Sequence, residues 1–386
     1  MNSKEYAEIR RRLNPEKNNI DVIRGCYVNE KREIVTTFSH SLLTLPQGEA
    51  EKYLSIFRKT ITGTPGKNLI DIAFRPDQVL DGDQHALLTA LKNTALKVDQ
   101  AVEKFFQRVA DALDLEGNYL ILLMYDAYDL PFHPKGEEDD GRGSENVFSY
   151  ILCSVCPVKL SKGGLCYCPE DCDFHDREAD NMVGAPELGF MFPAFDDRAA
   201  NIYGAEYYTR DTSASHDDFI AAVFDANPPM PAAVQKETFQ TLLGDALEDD
   251  CSLDVVQAVR QQICDRIEEK KADKSIDQPM VSKREMSAVL TDCGVPEARV
   301  QAFEQGYDDQ FGTGIDLRAV NIVEPKRFEV RTPDVVVKVN PDRSDLVETR
   351  VIDGMKYILI RADEGVEVNG VNIAIASEAD EPDAPF

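Results

Sequence analysis

Asn118-Tyr-Leu-Ile-Leu-Leu-Met-Tyr125 and Val147-Phe-Ser-Tyr-Ile-Leu-Cys-Ser-Val155 are the two stretches on which the reading of this fold turns. Each is an almost unbroken apolar run of strand length, carrying the β-branched and aromatic residues that fit a pleated, buried surface. The segment between them, Gly136-Glu-Glu-Asp-Asp-Gly-Arg-Gly143, is too charged and glycine-rich to be buried and reads as an exposed loop. Two neighbouring strands with no helix between them pair antiparallel, because a parallel pair needs a long crossover. A third apolar stretch, Ile202-Tyr-Gly-Ala-Glu-Tyr-Tyr-Thr209, is expected to join the same sheet.

Upstream of this centre, a short charged helix within residues 1–18 ends at Asn14-Pro15. Alternating residues from Ile20 to Phe38, interrupted by Asn29-Glu-Lys-Arg32, predict a β-hairpin. A helix over 48–61, a strand over 69–74 and amphipathic helices over 81–91 and 99–113 follow. Downstream, Asn227-Pro-Pro-Met-Pro231 breaks the chain, and helical patterns cover 232–247, 253–271, 282–292 and 296–311. Ser282-x-x-Glu285 fits a capping box and Cys293-Gly294 a helix stop. From Phe328 the period changes to two, and Asp353-Gly354 and Asn369-Gly370 are two-residue hairpin turns. The expected class is α+β: a mainly antiparallel central sheet with flanking helices, a helical subdomain and a small C-terminal β-meander. The expected divisions are 1–226, 227–324 and 325–376, with an acidic disordered tail at 377–386.

Composition narrows the function classes. With 43% hydrophobic and 29% charged residues over 386 positions, the chain has globular composition. The apolar runs are well short of the roughly 20 residues a membrane helix needs. The polar start, Met1 to Arg10, has no apolar segment of a secretory signal, so a cytoplasmic location is expected. The 70 acids against 42 basic residues give a net charge of −28, which repels phosphate backbones and disfavours nucleic acid as a partner. Basic clusters such as Arg10-Arg11-Arg12 sit among acids and read as solvated helix faces.

Nine cysteines, an odd number, fit free thiols in a reducing compartment better than a disulfide framework. Six ligand-type residues cluster: Cys153, Cys156, Cys166, Cys168, Cys172 and His175. Thiolate and imidazole suit zinc, but regular four-ligand spacing is missing, and Cys153 and Cys156 on one strand fall on opposite faces unless the chain turns at Cys156-Pro157. No cofactor is expected, and structural zinc at this cluster is the alternative. A second cluster, Asp126, Asp129 and His133, follows the first apolar strand, and Asp196-Asp197 could complete a carboxylate site for a metal-dependent hydrolase. The competing reading is that these residues close the strand in a turn. Gly63-Thr-Pro-Gly-Lys-Asn68 fails as a phosphate loop, because its first glycine is out of register and Asn68 replaces the metal-ligating hydroxyl.

Asn14-Pro-Glu-Lys-Asn-Asn19, Arg24-Gly-Cys-Tyr-Val-Asn29, Phe148-Ser-Tyr-Ile-Leu-Cys153, Pro186-Glu-Leu-Gly-Phe190, Phe195-Asp-Asp-Arg198, Ser344-Asp-Leu-Val-Glu-Thr349 and Tyr357-Ile-Leu-Ile-Arg-Ala362 resemble an uncharacterised family. It is the domain-of-unknown-function family 4317, of cytoplasmic proteins from low-GC Gram-positive bacteria. The resemblance spans nearly the whole chain, implies a cytoplasmic bacterial protein and transfers no catalytic residue. With no complete catalytic constellation, the expected function is a non-enzymatic binding or regulatory protein with a protein partner or a second copy of itself. The metal-dependent hydrolase is the alternative. A loose likeness in element order to nucleoid-associated proteins is a further one, at the level of architecture only.

Overall fold

The computed structural model describes residues 1–14, 20–130, 146–196, 198–214, 216–227, 229–272, 279–362, 365–368 and 370–373. It divides into two compact units, one of Met1–Thr238 with Lys270–Pro279, the other of Phe239–Glu269 with the described residues from Met280 onward.

In the first unit the chain runs α1 (Ser3–Arg12), β1 (Val22–Val28), β2 (Ile34–Ser41), α2 (Gln47–Thr60), β3 (Leu69–Ala73), α3 (Pro76–Asp81), α4 (Asp83–Asn93) and α5 (Asp99–Ala112). It continues with β4 (Asn118–Leu130), β5 (Asn146–Leu160), β6 (Gly164–Cys168), β7 (Asp173–Arg177), β8 (Asn181–Val183) and β9 (Leu188–Phe192). Last come β10 (Ala194–Asp196), β11 (Ala199–Asn201), β12 (Gly204–Thr209) and α6 (Asp217–Phe224).

Eight of these strands form one antiparallel sheet in the order β2-β1-β4-β5-β9-β12-β3, with β8 paired to the end of β5. Helices cover both faces, which explains why β4 and β5 read as continuous apolar runs and not as alternating ones. In β4, Tyr119, Ile121 and Leu123 face a core shared with α4, α5 and α6. Leu120, Leu122 and Met124 face a second core closed by α1 and α2 through Ile9, Leu54 and Phe57. Each large apolar side chain so buried contributes about 1.5–3 kcal/mol relative to exposure, so the β4–β5 ladder anchors both layers.

Close packing shows at two glycines. The Phe38 ring lies across Gly25 where a side chain would project. A Cβ on Gly189 would run into the Cys153 carbonyl oxygen and the Thr60 methyl, at the point where the Thr60 and Ser154 hydroxyls meet at 2.6 Å.

Four local readings change. β4 does not close in a turn after Tyr125 but stays paired to β5 through Leu130, because Tyr128 and Leu130 continue the alternation onto the α1–α2 core. β9 separates β5 from β12; its five residues, bracketed by Pro186 and Pro193, are too short to stand out in the sequence. Helices α3 and α6 also went unread, while the helix expected over 81–91 is α4, which begins two residues later, after Gly82. Two proposed segments, the exposed loop at 136–143 and the tail at 377–386, lie outside the described residues.

The second unit is built on α7 (Ala232–Leu247) from Phe239 onward, α8 (Leu253–Ala272) up to Glu269, the short pair β13 (Met280–Val281) and β14 (Leu317–Arg318), α9 (Lys283–Asp292), α10 (Glu297–Phe311) and α11 (Ala319–Ile322). Its core gathers Phe239, Leu243, Ile263, Leu290, Phe303 and Tyr307. The Ser282–Glu285 capping box forms as expected, with the Ser282 hydroxyl accepting from the Glu285 amide at 3.3 Å and Glu285 accepting from the Ser282 amide at 2.9 Å. The C-terminal β region is not one meander: β15–β16 (Phe328–Arg331, Val336–Val339), β17–β18 (Val347–Ile352, Met355–Ile360) and β19–β20 (Val366–Val368, Val371–Ile373) are separate hairpins. Asp353 and Gly354 take the two positive φ angles, 50° and 77°, that the type I′ turn requires. The molecule is of the α+β class.

Candidate functional site

A buried polar arrangement in the first unit runs beneath α1. Asn2 starts this helix: its side chain accepts from the Lys4 and Glu5 amides at 3.0 and 3.1 Å, and Glu5 reaches back to the Asn2 amide at 2.7 Å. The cap sets the rotation that turns Tyr6, Ile9 and Leu13 inward. The same rotation brings Glu8 and Arg12, one turn apart, over the sheet.

Arg12 forms a two-pronged pair with Asp126, with Nε and an Nη each at 2.9 Å from a different carboxylate oxygen. Tyr150 on β5 donates to the same carboxylate at 3.1 Å, and the guanidinium lies 4.5 Å from the centre of the Tyr128 ring. Asp126 is essentially without solvent access. Its charge is therefore tolerable only because Arg12 supplies the counter-charge and Tyr150 a further donor. The carboxylate in turn raises the Arg12 pKa, and burial raises that of Tyr150. One turn back, Glu8 accepts from Tyr128 and from Arg198, both at 3.1 Å.

At the start of the helix the Met1 α-amino group lies 3.1 Å from both Asp71 on β3 and Glu206 on β12, and the Tyr6 hydroxyl donates to the other oxygen of Glu206. Burial, then the neighbouring Asp71, push Glu206 up to about 8. Burial lowers the amine, but Glu206 and Asp71 outweigh it and bring it to about 10. Near neutrality the amine is thus charged and Glu206 holds its proton. A cleft of about 330 Å³ opens beside them, lined also by Asp196, Asn201 and Tyr203.

The residues singled out in the sequence separate as follows. Asp126 is inside the ion pair. Asp129, three positions along the same strand, is exposed on the opposite face. Asp196 sits on the small β10–β11 pair, exposed, accepting from Asn201 at 3.4 Å. His133 and Asp197 lie outside the described residues. Arg12, read as part of a solvated basic cluster, is instead the partner of a buried acid. Its signal was indirect: an Asp in the continuation of an apolar strand needs a cation from elsewhere. Glu206, alone among the apolar residues of β12, carried the same signal.

The chain matches the family described as Domain of unknown function (DUF4317) over residues 1–371. It belongs to that family. Every residue of the DUF4317 seam beneath α1 lies within the matched span. No curated protein matches the chain.

The cysteines of this DUF4317 chain fall into two environments. β5 runs straight through Cys156-Pro157, so Cys153 faces the α4–α6 core and Cys156 the α2 side, and the turn that would have let them converge does not occur. Burial raises both thiols, Cys156 to about 12, and Cys26 likewise to about 12. Cys166, Cys168, Cys172 and His175 belong to the separate β6–β7 hairpin, where no strand residue is buried. Gly63–Asn68 is a turn into β3, with the Asn68 amide donating to the Thr209 carbonyl at 3.0 Å. No helix among the described residues is long and apolar enough to cross a membrane.

Proposed function

We propose that this DUF4317 chain is a non-enzymatic binding or regulatory protein that works through a protein partner or a second copy of itself. The observation that supports this reading is the state of Asp126. Asp126 is buried, paired at both oxygens with Arg12 and bonded to Tyr150, so its charge is committed to the fold rather than to a metal or a substrate proton. The candidates offered beside it do not face it: Asp129 points the other way, and Asp196 is on a different small sheet.

Large apolar side chains are meanwhile left in solvent on the two-stranded hairpins. Leu165, Tyr167 and Phe174 lie on β6–β7, and Val351, Met355 and Ile360 on β17–β18. Clusters of this kind favour association. The charge of −28 argues for a partner other than nucleic acid and against the nucleoid-type analogy. A cytoplasmic location and the divisions at 227 and 325 belong to the same proposal; limited proteolysis that cuts first at those two places supports the divisions. Sedimentation and chemical crosslinking of the full chain at its cellular concentration test the central reading. A stoichiometric complex or a homo-oligomer is expected, and a monomer under all conditions overturns it.

A further inference from the structure

The β6–β7 hairpin poses a stability problem. None of its ten strand residues is buried, and an isolated two-stranded hairpin is marginal in water. One face holds Leu165, Tyr167, Phe174 and Asp176, with the Tyr167 and Phe174 rings 5.4 Å apart. The other face is chemically different. The register pairs Cys166 with His175 and Cys168 with Asp173, and directly opposed residues share a face, so Cys166, Cys168, Asp173 and His175 all project to the same side. Cys172 stands in the connecting turn, its φ of 57° in the left-handed region.

We propose that Cys166, Cys168 and His175, completed by Cys172 from the turn, bind one thiophilic divalent cation of the zinc class. Three thiolates and one imidazole form a four-donor set that such an ion takes in tetrahedral geometry. Cysteines two apart on a strand are roughly 6.7 Å apart at Cα, and opposed residues have Cβ atoms about 5 Å apart, both within side-chain reach of one ion. Asp171 already holds the His175 ring through Nε2 and lies within reach of the Cys168 thiol. It is thus the outer carboxylate that orients a ligating histidine and leaves Nδ1 for the metal. Asp173 lies on the same face and favours a cation, Arg177 at the far end of that face opposes it, and Glu170 stands in the connecting turn.

Among the described residues no three His, Cys, Asp or Glu side chains already surround a common point. Uptake therefore gathers exposed side chains, releases the thiol protons to solvent and disturbs no packed core. The ion supplies the cross-link that the hairpin's own side chains do not.

The test is cobalt titration of the full chain after chelator treatment under reducing conditions, followed by displacement with zinc. One cobalt per chain is expected, with the intense thiolate-to-cobalt absorption of a tetrahedral sulfur-rich site. Both should be lost in C166S/C168S and kept in C293S, an exposed thiol elsewhere. Asp171→Asn should weaken binding roughly tenfold or more without abolishing it. Thermal melting of the metal-free variants confirms that they remain folded. Failure of the native chain to take up stoichiometric cobalt or zinc overturns the site, as does full retention of the absorption in C166S/C168S.

Discussion

The seam beneath α1 and the β6–β7 hairpin use overlapping chemistry, since both bring carboxylates close to nitrogen donors. They differ in burial. Asp126 and Glu206 are each almost completely enclosed, and every charge they carry is answered by a named partner. His175 and Asp171 are both about half exposed, and their contact is a surface pair. An enclosed carboxylate without its cation is strongly destabilising, whereas an exposed pair contributes little to stability. The same residue types thus brace the fold in one place and are free to rearrange in the other.

The comparison breaks most readily at Arg12. Arg12→Ala leaves Asp126 buried and unpaired and should destabilise the protein by about 3–5 kcal/mol in denaturant unfolding. The double replacement Arg12→Leu with Asp126→Leu should recover much of that loss, since it removes both charges; a loss as large as the sum of the single variants would contradict the pairing.

Glu206 sharpens the comparison through pH. Its folded pKa of about 8 lies above the ordinary carboxylate value, so the native state holds an extra proton between roughly pH 4.5 and 8. The stability linked to it is complete below the unfolded value and is lost as pH rises through 8, at no more than about 1.4 kcal/mol per pH unit. Glu206→Gln should flatten that dependence and overtake the native chain above pH 8; parallel curves would show that Glu206 does not hold the proton.

Tyr150→Phe removes one hydrogen bond to a buried charge and should cost about 1.5–3 kcal/mol. At the other end of the scale, Phe174→Ala or Cys168→Ser in metal-free protein should stay within about 0.5 kcal/mol of the native chain, because neither side chain is buried. A larger loss would mean that the hairpin is packed more firmly than its exposure indicates.

Much of the fold was legible in the chain. The apolar runs at 118–125 and 147–155, the hairpin around Asn29–Arg32 and the four long helices after Pro231 each carry a local signal strong enough to survive packing. Strand β9 and helix α6 did not, since five and eight residues hold too little periodicity to separate them from connecting chain. The C-terminal hairpins were visible as turns, but whether they would join in one sheet was not, because each turn signal concerns only its own two strands. The candidate site was less legible still. Asp126 stood out, yet its partner Arg12 lies 114 positions away among two other arginines.

Local pattern alone settled that this is an α+β chain with a central antiparallel sheet, because helical and strand periodicities are properties of short segments. Only tertiary structure decided which charges are structural. A carboxylate's role depends on how much water reaches it and which cation stands opposite, and both are fixed by elements far apart along the chain.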